Sequence, residues 1–269
     1  MGIFIDNPVL GREMRGRLRL RRKGSSQSFF WVAIVLAAVI FYFYARGLAG
    51  IFGGPRQDAR EFWPLLVYGL LTLIVLLSPA LTATAITSER EQQTWETLAS
   101  TALSGQEIIL GKWLARQTIP IMLVLLACPY LLGCAIRGDM GLWALPATLA
   151  FLLITSLFYG ALGLLCSYQA KRTVASTATA LTCSAFLCLG TFILASVVTI
   201  LSGPRDSIVL WLNPFYALTA LQSMVSRDTY VGYRALNLNI AVFYFIAVPV
   251  LTAAMLLFMV RRYRQAVRG

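Results

Sequence analysis

Glu89, Glu91, Glu96 and Glu107 stand close together between two long apolar stretches, in a chain that holds eleven acids and a net charge of +12. Carboxylates do acid–base work when paired with histidine or with each other in a dry site. There is no histidine in this chain, which removes Ser–His nucleophiles, the HExxH zinc helix and most histidine-bearing metal sites. No pair of acids falls within an apolar stretch, so an intramembrane carboxylate protease or proton relay has nothing to work with. The sequence also lacks GxxxxGK[ST], the loop that cradles nucleotide phosphates. No catalytic residue and no metal ligand is therefore assigned. The chemistry left to the glutamates is recognition. Trp95, Leu98, Leu103 and Ile108 are interleaved with them, a pattern that a purely solvated loop does not need. It fits a short amphipathic element that docks a soluble partner.

Such an element needs a frame, and composition says which. The 269 residues are 58% hydrophobic and 13% charged, with a mean hydropathy of +0.73. Soluble domains carry about 25% charged residues. Spanning a hydrocarbon core takes about 20 mostly apolar residues, and six stretches qualify, near 28–44, 62–86, 114–136, 142–170, 174–201 and 239–260. None contains Lys or Glu, and Arg116 sits only at the start of the third. The expected fold is an all-α membrane protein of six spans. Residues 1–27 form an interfacial helix, 28–260 the spanning domain, and 261–269 a basic tail. Within the domain, residues 87–112 are a cytoplasmic segment and residues 202–238 the external loop.

With the N-terminus inside, sixteen of the 23 Lys and Arg lie on its side of the membrane and seven on the other. That bias places both termini in the cytoplasm. Aromatic residues flank the first span, Phe29-Phe30-Trp31 at one end and Phe41-Tyr42-Phe43-Tyr44 at the other, as an interfacial belt does. A cleaved signal peptide competes for the N-terminus, but the apolar run is long and no clear small-x-small site follows it. The pI of 9.9 reflects charge beside the spans, where anionic headgroups are the nearer partner than nucleic acid. The cysteines (128, 134, 166, 183 and 188) all fall in apolar runs without CxxC spacing, and read as small buried hydrophobes.

Local signals refine the frame. Asn7 can cap a helix with Pro8 at its first position. Val9, Leu10, Met14 and Leu18 share one face of it, with arginines including Arg12 and Arg15 on the other. That helix would lie in the interface plane, although a plain basic stop remains an alternative. Ser88 with Glu91, and Ser104 with Glu107, each fit a capping box. The second box would start a helix running into the third span.

This order of elements, with Thr87-Ser88-Glu89-Arg90-Glu91, Thr94-Trp95-Glu96-Thr97-Leu98 and Ser104-Gly105-Gln106-Glu107-Ile108-Ile109-Leu110-Gly111-Lys112-Trp113 between spans two and three, resembles an ABC-2 type transporter permease. Asn213-Pro214-Phe215-Tyr216-Ala217-Leu218 before span six adds weaker support. The resemblance covers nearly the whole chain. It implies a half-transporter that pairs with a second permease chain, identical or related, and binds two copies of an ATP-binding subunit. ATP and Mg²⁺ would sit on that subunit and no cofactor on this chain. It implies that Glu89, Glu91, Trp95, Glu96, Leu98 and Leu103 form the coupling contacts. The N-terminal elbow helix would pack nearby, with Arg12 or Arg15 opposite Glu89 or Glu91. It also implies that spans two and five face the route, making Ser78, Thr82, Thr182 and Ser184 candidate lining residues. Small hydroxyl residues equally serve close helix packing. Pro79, Pro120, Pro129 and Pro146 are candidate kinks.

The reading is an ATP-driven exporter permease in a prokaryotic plasma membrane, its cargo more lipid-like or amphipathic than a bare ion. Two other classes stay open. A non-transporting anchor for a soluble ATPase would keep the docking loop. A secondary transporter would need an intramembrane ionisable residue or broken inverted repeats, and neither is visible in the sequence.

Overall fold

The computed structural model describes residues 56–93, 105–138, 141, 143–202, 208–225 and 231–268. The first predicted span, the interfacial helix with Arg12 and Arg15, and Trp95, Glu96, Leu98 and Leu103 lie outside the described residues. The described chain is helical. In order it forms α1 (Arg56–Thr82), α2 (Thr87–Glu91), α3 (Gly105–Arg137), α4 (Ala144–Gln169), α5 (Thr173–Ala185), a π-helical turn (Phe186–Gly190), α6 (Thr191–Ser202), α7 (Ile208–Trp211), α8 (Pro214–Val225) and α9 (Val231–Arg268). No strand occurs among the described residues, as expected where lipid offers backbone groups no partner and helices satisfy them internally.

Five of these helical stretches are long and apolar enough to cross a membrane: Phe62–Glu91, Gly105–Arg137, Ala144–Gln169, Thr173–Leu194 and Asn237–Tyr263. They match the second to sixth predicted spans, with shifted ends. The third begins nine residues before the apolar run that predicted it. At 1.5 Å per residue its 33 residues reach about 50 Å, well beyond a core of about 30 Å. Its polar first turns therefore extend past the hydrocarbon.

α4 is the central post. In its most apolar window 61% of residues are buried, against 17% for the span that begins at Thr173, so four spans pack around one. Close approach to α4 depends on two glycines. A Cβ on Gly163 would run into Thr82 and the backbone of Pro79 on α1, and one on Gly160 would run into the Gln117 amide on α3. Small residues at such contacts replace the hydrophobic drive that lipid removes. Where the three helices meet, Ser156 donates to Gln117 Oε1 at 2.9 Å and lies 3.2 Å from Ser78 Oγ. α4 also meets α9, where Phe151 stacks on Tyr244 at 4.7 Å and Thr155 bonds the tyrosine hydroxyl at 3.0 Å.

Two apolar clusters result. One runs from Trp63 and Leu71 through Phe151 and Tyr244 to Leu218. The other gathers Ile86, Ile108, Trp113, Leu164, Met259 and Tyr263 beneath the Glu89 end of the bundle. The outward faces are apolar too. Met122 and Leu125 on α3, Phe186 and Leu189 on the π turn, and Ile246 and Val250 on α9 are all more than half exposed, which suits lipid and not water.

Candidate coupling site

The glutamates sit where the second span breaks. α1 ends at Thr82 and the chain turns through residues 83–86 before α2. The turn frees backbone groups that lipid-facing protein cannot leave bare, and side chains from three other helices take them. Ser167 on α4 accepts the Ile86 and Thr87 amides at 2.9 and 3.1 Å. Ser176 on α5 donates to the Ala83 carbonyl at 2.7 Å. Arg116 on α3 donates to Thr84 Oγ1 at 2.8 Å and to the Leu81 carbonyl at 3.3 Å. Local hydroxyls do the rest, Thr82 donating to the Ser78 carbonyl and Ser88 to that of Thr84.

The charged groups tie α2 to the same three helices. Lys112, only 1% exposed, reaches Glu89 at 2.5 Å. Arg90 donates to the Ala170 carbonyl at 2.8 Å and lies 5.8 Å over the Tyr168 ring. Glu91 accepts the Thr173 amide at 2.7 Å, and the Thr173 hydroxyl sits 3.0 and 3.1 Å from its two oxygens. α5 starts after an extended Arg172 that offers no side-chain cap. Glu91 supplies that cap from 82 residues upstream, with a full negative charge at the positive end of the helix. The cluster holds no nucleophile–base pair. It ties α2 to α3, to the end of α4 and to the start of span five.

Glu89 and Glu91 are thus brought together with Lys112, Arg116, Ser167, Thr173 and Ser176. The Ser88–Glu91 capping box does not form. Ser88 lies inside α2 and bonds Thr84, Glu91 caps α5 instead, and the start of α2 is capped by Ser167. Ser104 lies outside the described residues, while Glu107 falls in the first turn of α3. Of the proposed lining residues, Ser78, Thr82 and Ser184 are buried inside the subunit. Thr182 is on the exposed face of α5.

Sequence reading named Lys112 and Arg116 without giving them partners. Their spacing of four puts both on one face of a helix, next to an apolar run where a basic group needs an acceptor, and that was the available signal. Ser167 and Ser176 carried none, because many hydroxyls in these spans bond carbonyls of their own helix, as Thr177 and Ser184 do.

A helical bundle with five stretches long and apolar enough to cross a membrane, and a charged, braced turn at one end, has the build of an integral membrane component. The chain belongs to the ABC-2 family of transporter proteins, whose sequence pattern it matches over residues 12–265. It is a membrane permease of that family, a class that generally works with an ATP-binding subunit. No curated protein matches it.

Proposed function

We propose that the chain is the membrane-spanning half of an ATP-driven exporter. In this reading its 87–112 segment faces the cytoplasm and docks a separate ATP-hydrolysing subunit, which binds ATP and Mg²⁺. Two such subunits drive a pair of permease chains between inward- and outward-open arrangements. The observation that carries the proposal is the bracing of α2. A loop that merely joined two spans would not need an ion pair to α3, a carbonyl bond to the end of α4 and a cap on α5. An element that passes on force does.

The Lys and Arg bias supports a cytoplasmic Glu89 end and a plasma membrane setting. The exposed face of span five supports its use between subunits or along the route. That face carries Thr179, Thr182 and Cys183 beside Phe186 and Leu189. A mixed hydroxyl and apolar surface without charge favours amphipathic or lipid-like cargo. In this reading Trp95, Glu96, Leu98 and Leu103 join Glu89 and Glu91 in docking the ATPase, with Arg12 or Arg15 of the elbow helix as the partner of Glu89 or Glu91.

Co-purification in lipid nanodiscs with a candidate ATP-binding cassette protein, sought first in the adjacent genes, tests the reading. Trp95→Ala with Glu96→Lys is expected to lose the ATPase at least tenfold, since interface aromatics are frequent hot spots of about 2 kcal/mol or more. An ATPase that never binds, or that ignores both changes, sinks the docking assignment.

A further inference from the structure

Span five is interrupted. Between α5 and α6 the chain makes a π-helical turn, Phe186–Gly190, a wider coil that carries one extra residue and shifts the carbonyls out of ordinary register. Two of its carbonyls are taken by side chains. Thr191 Oγ1 donates to the Leu187 carbonyl at 2.6 Å. Asn213, which belongs to the connection between α7 and α8, donates through Nδ2 to the Cys188 carbonyl at 2.7 Å and to Thr191 Oγ1 at 2.8 Å. The other half of the same amide works elsewhere, Oδ1 accepting the Phe215 and Tyr216 amides at 2.9 and 3.3 Å and capping α8. Asn213 is 2% exposed. Both of its donors and its acceptor oxygen are in use, so one buried side chain is fully consumed in joining two elements.

The two elements differ in how they are held. α8 is anchored. Thr219 lies 3.0 Å from the Tyr68 hydroxyl on α1, and Ser223 accepts from Asn237 on α9 at 2.6 Å. Trp211, just before it, meets Phe243 edge-on at 5.5 Å. α6 is held less: beyond its packing on α7 and the bond to Thr191, its Phe192, Ile193, Leu194, Val197, Ile200 and Leu201 are all exposed. At the turn itself, Tyr159 on α4 reaches Cys188 Sγ at 3.2 Å.

We infer that Asn213 is a latch. It holds the π turn of span five against the anchored α8, and its release frees α6 to swing about residues 186–190 while α5 stays capped by Glu91. The mover is the outer half of the span, the post is α8, and the amide is the catch between them. The latch stands whether or not the chain moves cargo, so its test is separate from the docking test.

Hydrogen–deuterium exchange of the full chain in nanodiscs, comparing wild type with Asn213→Asp and Thr191→Val, decides the matter. Aspartate keeps the cap on α8 but has no donor for Cys188 or Thr191. Losing two hydrogen bonds raises local opening on the order of tenfold. The expected result for Asn213→Asp is that increase in the peptides spanning 186–194, with peptides at the start of α8 and throughout α4 unchanged. Thr191→Val, which removes the shared hydroxyl, is expected to raise exchange in the same peptides by less. Exchange that stays at wild-type levels in the π turn, or that rises equally in α8 and α4, overturns the inference. A residue that served only to keep the fold intact would not split the two elements in this way.

Discussion

At the scale of single residues, the decisive fact is that the glutamates have inward partners. Glu89 meets Lys112, which is almost wholly enclosed. Enclosed pairs are weak stabilisers in themselves, but breaking one strands a charge at a cost of about 3–5 kcal/mol. Lys112→Met is therefore expected to destabilise the chain by about 3 kcal/mol, read as loss of thermal unfolding temperature in detergent. Glu89→Leu combined with Lys112→Met should cost clearly less than the sum of the two single changes. Additive losses would mean that the pair does not act as a unit. Glu91 caps a helix from outside it, and Glu91→Ala should cost about 1–2 kcal/mol, measured the same way. These partners were only half legible. The acids stood out against a basic, apolar chain, and Lys112 and Arg116 were visible as a helical pair. The groups that receive Glu91 and the bare amides of the turn, Thr173 and Ser167, look like any other hydroxyl in an apolar run. Asn213-Pro214 carried the same cap-and-proline signature as Asn7-Pro8, so the cap was readable, but its second use on span five was not.

At the scale of elements, hydrophobic length carried the reading, and local pattern helped at the start of α3 and misled at α2. The five predicted spans that fall among the described residues are helices, because twenty apolar residues without Lys or Glu have few other stable forms in lipid. The start of α3 in polar sequence was legible, because the Ser104–Glu107 box predicts a helix running into the third span, whereas nothing marked the turn that cuts the second. The Ser88–Glu91 box satisfied the local rule, yet tertiary partners outbid it. Nothing in composition marks the π turn, because a π turn arises from one inserted residue and not from a residue type. The packing of α4 makes its own prediction. Gly163 lies against the backbone of Pro79, which cannot swing aside as a side chain can. Gly163→Val is expected to cost about 3 kcal/mol and to lower the thermal transition. Gly69, with open space around its would-be Cβ, serves as the control and should tolerate Val far better.

At the scale of the whole molecule, span five is gripped at one end and latched further along. Its start is tied to α2 through Glu91 and to the turn before α2 through Ser176, and its middle to the capped start of α8 through Asn213. Its outward face is largely uncovered within the single chain. A displacement of α2 therefore has a direct path into the least buried of the described spans, the path by which the proposed function would carry nucleotide-driven motion into the membrane. The membrane class was legible from composition and the family from the glutamate segment. The route of force was not, because it depends on hydrogen bonds between positions about 80 to 90 residues apart, for which one sequence gives no signal. The account is tested most directly by exchange at residues 170–177 in nanodiscs that hold the chain with the ATP-binding cassette protein that co-purifies with it, compared without nucleotide and in an ATP-trapped state. Wild type should show a nucleotide-dependent change in protection there. Glu91→Ala should lose that change while the ATPase stays bound. A wild-type chain whose span-five start ignores nucleotide, or a Glu91→Ala chain that responds as fully as wild type, would contradict it.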